Sequence, residues 1–158
     1  MTIHDMTDAQ LVEHIGKQEK QLQFASFSFE TAHAIGAALV ARAKADALPL
    51  VVDVTRAGHC LFHVALPGAT PDNAEWVLRK NRVVSRFHHS SLYMGAFCRV
   101  EGVTLEEKFL LPENTYAPHG GAFPITIRDT GVIGSVTVSG LPQLDDHALV
   151  TEVLATFV

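Results

Sequence analysis

The chain has 158 residues, 47% of them hydrophobic, and a formal net charge of -5. That length and content suit one domain over residues 1–158 with a real core. The acidic balance argues against a nucleic-acid binder, and no apolar run is long enough for a membrane span. The first residues lack the apolar core of a signal peptide, so a cytoplasmic protein is expected.

Thr7-Asp-Ala-Gln10 has the form of a capping box, opening a helix through about Gln21 with Leu11 and Ile15 inward. His14 on that helix faces solvent. Ser28 caps a second helix, from Phe29 to about Asp46, whose apolar residues Ile35, Ala38 and Leu39 recur at helical spacing. Pro49 stops it. Leu50 to Val54 reads as a strand, Arg56-Ala-Gly58 as a turn, and His59 to Leu66 as the returning strand. His59 and His63, four apart on a regular strand, face one side about 13 Å from each other, too far to share a metal ion. Cys60 and Cys98 fall outside any CxxC spacing, so neither a disulfide scaffold nor a zinc knuckle is indicated, and no metal site is expected.

Thr70 and Pro71 open a third helix, which runs to His88 or His89. Trp76, Val83, Val84 and Phe87 share one sector of its wheel, and Lys80 falls in the middle of that sector. A lysine in an apolar stripe is costly unless it snorkels or meets an anion. Arg79, Arg82 and Arg86 form a neighbouring basic stripe, continued by His89. The helix therefore reads either as a solvated basic face with one snorkelling lysine or as one wall of an anion or carboxylate site.

Ser90-Ser91 breaks this helix and caps a short one from Leu92 to about Val100, and Thr104-Leu-Glu-Glu107 is another capping-box form. Leu110 to Pro118 is an irregular loop. The stretch from His119 to Gly140 then reads as two strands around the turn Asp129-Thr130-Gly131. Gly134 interrupts the second strand, which suggests a bulge or a close backbone approach. Pro142 reopens helix, with Asp145 and Asp146 at its positive end. Hairpin-joined strands with helices before and after them imply an α+β domain of three layers, α/β/α, around a mostly antiparallel sheet.

Trp76…Arg79-Lys80…Val83…Phe87…Ser90-Ser91, then His119-Gly-Gly-Ala-Phe-Pro-Ile125, then Val138-Ser-Gly-Leu141…Asp145-Asp-His147 resembles the UPF0303 family. That family is related to the haem-degrading GlcG/HbpS-like (DUF336) domain, which also ends some corrinoid adenosyltransferases. The resemblance covers nearly the whole chain. It implies a profilin-like fold with about five strands and assembly into homo-oligomers, at least dimers. It also implies a small-molecule ligand, with haem or another tetrapyrrole as the cofactor to consider; no iron ligand is carried over from the relatives to this chain.

A tetrapyrrole needs an apolar slot, cations for its propionates and an axial ligand. Trp76 and Phe87 are of the type that lines a slot, Arg79 and Lys80 of the type that pairs with carboxylates, and His119 of the type that ligates. Ser90, Ser91, Gly120 and Gly121 would complete a pocket where the helix, its break and the glycine loop converge. Two alternatives remain. One is an enzyme of a small carboxylate or carbonyl compound, using Lys80, His119 or His147, with Asp146 orienting His147 or the Ser139 backbone. The other is a non-catalytic interaction module. The plainer reading of Asp146 is a helix-start carboxylate bonded to backbone amides.

Overall fold

A computed structural model describes all 158 residues. A 3₁₀ turn, Ile3–Asp5, precedes α1 (Asp8–Gln21) and α2 (Phe29–Ala45). The hairpin β1 (Val51–Arg56) and β2 (His59–Ala65) leads into α3 (Pro71–Phe87), α4 (Ser91–Glu101) and α5 (Leu105–Phe109). A second hairpin, β3 (Ala122–Ile127) and β4 (Gly131–Ser139), leads into α6 (Gln143–Leu154). The helix starts lie where side chains can take up the first free amides. Thr7, Ser28, Ser90 and Thr104 accept from the backbone of Gln10, Thr31, Tyr93 and Glu107.

The sheet is antiparallel throughout, in the order β2-β1-β4-β3. It has four strands rather than the expected five. The place beside β3 is held by a single residue, Phe24, whose amide bonds the Thr126 carbonyl at 2.8 Å while its carbonyl accepts from Arg128 at 2.9 Å. One residue between α1 and α2 thus covers that edge without a fifth strand.

The two faces of the sheet differ in kind. Val52, Val54, Phe123, Ile125, Val136 and Val138 point to one side, against Ile35, Leu39 and Ala43 of α2 and Val150, Val153 and Leu154 of α6. This is the main core. On the other side, alternation brings up Asp53, Ser135, Thr137 and Ser139, all buried. Helix α3 lies over that polar face. Buried polar groups must be paired there, and α3 supplies partners: Asn81 donates to Asp53 at 3.2 Å and accepts from the Thr137 hydroxyl. Two smaller apolar clusters fix the outer helices. One joins Val83 to Met94, Cys98 and Leu105; the other joins Leu11 and Ile15 to Leu92 and Ala96.

Both hairpins carry a bulge. In the second, Ile125 pairs with Gly134 and Thr126 with Val132, leaving Ile133 as the extra residue beside Gly134. A side chain at Gly134 would collide with the Thr55 carbonyl of β1, so both features expected of that glycine are present. In the first, Val54 pairs with Phe62 but Thr55 with Cys60, leaving Leu61 extra. This bulge overturns the expected geometry of His59 and His63. An inserted residue reverses which face the following side chains take. His59 turns toward α2, where its ring meets Phe29 edge-on at 6.1 Å, while His63 stays beneath α3 and bonds Asp53 at 2.8 Å.

Candidate functional site

Lys80 projects from α3 through the polar face toward the start of α6. Only 3% of it is exposed, and its ammonium lies 3.1 Å from Asp146 Oδ2 and 3.3 Å from the Val138 carbonyl. Lys80 therefore does not snorkel: it meets an anion, and that anion is internal. Asp146 is 1% exposed and also accepts from the amides of Leu141 at 3.0 Å and Gly140 at 3.4 Å. It is the helix-start carboxylate of the plainer reading, with a lysine added. Burial, only partly offset by Lys80 and the two amides, pushes the Asp146 carboxyl up to about 6. Burial also draws the Lys80 ammonium below its ordinary range, against the opposing pull of Asp146. An unpaired charge at either position would be expensive, so each holds the other ionised at neutral pH.

Above this pair opens a cavity of about 260 Å³ bordered by Trp76, Lys80, His119, Ser139, Gln143 and Asp146, among others. A second cavity of about 320 Å³ lies against Arg79, Arg99, Tyr116 and Pro118. Trp76 and His119 line both. Their rings meet edge-on at 5.4 Å and form the wall between the two hollows. The Arg79 guanidinium lies over the Trp76 ring at 4.4 Å and donates to the Glu113 carbonyl, with its Nε at 3.0 Å. Arg82 donates to the Thr115 carbonyl at 3.2 Å. Two members of the basic stripe thus fasten the long loop that delivers His119. Partial burial, then the positive charges of Lys80, Arg79 and Arg99, pushes the His119 imidazole below its ordinary range, so it is neutral at pH 7.

Of the residues the sequence nominates, Trp76, Arg79, Lys80 and His119 come together. Gly120 and Gly121 support them. The Gly120 amide bonds Gln143 at 3.0 Å, and a side chain at Gly121, where φ is 140°, would sit 2.7 Å from the Lys80 ammonium. Phe87, Ser90 and Ser91 belong elsewhere, because the helix carries them three turns from Trp76. Phe87 packs against Phe109 at 4.8 Å; Ser90 caps α4 with its amide bonded to Glu19; Ser91 bonds the backbone of Ala122. Sequence reasoning missed Asn73, Leu141 and Gln143 as lining residues. Their signal was only that they flank motifs already noticed.

His147 is sealed. It is fully buried, bonds Gln18 at 2.8 Å, meets the Phe123 ring edge-on at 5.8 Å, and has no partner for Nδ1. It lines neither hollow at the Trp76–His119 wall, and its ring bonds Gln18 rather than Asp146. It takes no part in that wall.

The family described as "Haem degrading protein HbpS-like" matches residues 27–155. The chain belongs to the HbpS-like family. Relatives of this HbpS-like chain include a UPF0303 protein of Streptomyces coelicolor, 46% identical over 150 residues, 95% of each chain. A UPF0303 protein of Acidobacterium capsulatum is 48% identical over 149 residues, 94% of this chain and 90% of that one. Among solved structures, the Ybr137w protein superposes with a TM-score of 0.85 at 34% identity, covering 92% of this chain and 86% of that one. A PduOC:heme complex gives 0.68 at 22%, covering 82% and 94%, and HbpS itself gives 0.66 at 20%, covering 86% and 92%. The last two establish likeness of fold.

Proposed function

We propose that this HbpS-like protein binds a small amphipathic acid, with haem or another tetrapyrrole as the first ligand to consider, at the Trp76–His119 wall. The observation that carries this reading is the position of His119. It is a neutral imidazole, backed edge-on by an indole, between two hollows, with cations beside it. The residues present would suit a tetrapyrrole: Trp76 would offer an aromatic surface, His119 a nitrogen lone pair for a metal, and Arg79 positive charge for a carboxylate. Each hollow alone is near the lower end of ligand-site volumes, about 300–1,000 Å³, so a planar ligand would have to draw on both. Lys80 contributes by holding α6 and the Gly121 loop in place rather than by pairing with the ligand, because Asp146 already neutralises it. Haem, when bound, would supply redox-active iron.

The test is titration of the protein with haemin, followed by visible absorbance. A saturable Soret change at one haem per chain, altered in position by His119→Ala and weakened by Trp76→Ala, supports the reading. No saturable change, or the same spectrum and affinity in both variants, refutes it.

A further inference from the structure

On the far side of the polar layer, about 680 Å³ of open space lies between α3 and the β1–β2 hairpin, distinct from the Trp76–His119 hollows. Asp53, Cys60 and His63 border it together with Asn81 and His88. One ligand-type atom from each of the three lies within 4.8 Å of the other two. We propose that Asp53, Cys60 and His63 form a site for a single divalent transition ion of the zinc class, with the remaining coordination position turned to this cavity.

The bulge at Leu61 creates the site. On a regular strand Cys60 and His63, three apart, would point to opposite faces. The extra residue places Cys60 across from Thr55, on the same face as His63 and Asp53. His63 Nδ1 lies 2.8 Å from Asp53 Oδ2, and Cys60 Sγ lies 3.8 Å from the same oxygen. Tetrahedral zinc, with bonds of about 2.0–2.3 Å, holds its donors about 3.3–3.7 Å apart, between those two separations. Cys60 and His63 are exposed and only need to turn slightly; Asp53 is buried and fixed.

The surroundings match a metal site as well. Asp53 Oδ1 is occupied by the Thr55 hydroxyl at 2.7 Å and Asn81 at 3.2 Å, and Asn81 is itself held by the Thr137 hydroxyl. This leaves Oδ2 as the outward-facing donor, oriented by an outer shell of hydrogen bonds. The mixed set of carboxylate, thiol and imidazole suits zinc, and three protein ligands with one open position is the pattern of a site that takes up a further ligand. Arg82, which lines the same cavity, directs its guanidinium to the Thr115 carbonyl. A metal takes cysteine as the thiolate, so binding at Cys60 would release a proton and weaken in acid.

The experiment uses the full chain after dialysis against a chelator. Zinc is titrated by calorimetry in two buffers of different ionisation enthalpy, and cobalt(II) by visible absorbance. The expected result is one ion per chain, proton release, and a thiolate-to-cobalt charge-transfer band. Cys60→Ser should abolish that band, and Cys60→Ser and His63→Gln should each weaken zinc by about 100-fold, while Asn81→Ala should weaken it by about 10–100-fold. Both substitutions keep a polar side chain at an exposed position, an unfolding transition checks that each variant folds, and His119→Ala should bind zinc as the wild type does. Binding no tighter than millimolar, or unchanged affinity and cobalt spectrum in Cys60→Ser and His63→Gln, overturns the proposal.

Discussion

The Lys80 ammonium and the Asp146 carboxylate meet 3.1 Å apart, each almost wholly withdrawn from water. The pair joins α3 to α6 at the sheet end where the Gly121 loop and the Ser139–Leu141 turn also meet. Removing one member leaves the other as an uncompensated buried charge. Lys80→Met and Asp146→Leu should each destabilise by about 3–5 kcal/mol, and the double variant should recover most of the loss. A double-mutant cycle by urea denaturation measures this; additive losses would show that the two charges are not coupled.

His147 makes the fold acid-sensitive. Burial, with a smaller contribution from His14, pushes its imidazole down to about 3 from 6.5. The stability that this neutral ring secures is fully present above about 6.5 and is lost as pH falls toward about 3, with a slope of at most about 1.4 kcal/mol per pH unit. Asp146 acts in the opposite sense: its raised pKa favours the folded form as pH falls from about 6 toward 3.8. The difference between wild type and His147→Gln isolates the histidine. From about pH 7 to about pH 4 the wild type should lose more stability than the variant. Parallel pH profiles would contradict a sealed ring.

Gly134 of β4 pairs with Arg56 of β1, and the two strands leave no room for a side chain there. Any side chain there meets the Thr55 carbonyl and lies 2.8 Å from the Arg56 Cα, both backbone atoms that cannot step aside. Gly134→Val should lower stability by about 1–3 kcal/mol, read as a fall in thermal midpoint. Gly102, with nothing near its would-be Cβ but a φ of 68°, serves as a control in which only backbone strain is added.

Assembly is expected from the 47% hydrophobic content and from apolar side chains left in the open, such as Leu110 at 84% exposure and Val100. Light scattering at micromolar concentration should report at least a dimer of the 17.1 kDa chain. A monodisperse 17.1 kDa particle would exclude it.

The element pattern was legible because its signals are local. The capping boxes at Thr7 and Thr104, Ser28 before its helix, Pro71 at a helix start and the Asp129–Gly131 turn all act within four residues, and each sits where expected. What failed was non-local or turned on one inserted residue. Nothing in His59-Cys-Leu-Phe-His63 announces that Leu61 is skipped by its partner strand, so the facing of His59 was misread. A fifth strand was inferred from kinship, whereas Phe24 alone holds that edge. At the site, the helical wheel marked Lys80 as a lysine that either snorkels or meets an anion, and the structure shows the second. That the anion was Asp146, 66 positions away, depends on the sheet end where β4 turns into α6 and the start of α6 comes within reach of Lys80 from the opposite face.

A sheet with one greasy face and one hydrogen-bonded face leaves two kinds of record in divergent sequences. Beneath α2 and α6, aliphatic residues of similar volume can replace one another singly, since packing there is fungible within about 1.5 kcal/mol. Beneath α3, Asp53, Asn81 and Thr137 are tied to each other, and Lys80 to Asp146, so a change at one is tolerated only with a matching change at its partner. Across the family, the first face should drift position by position, and the second should move in linked pairs.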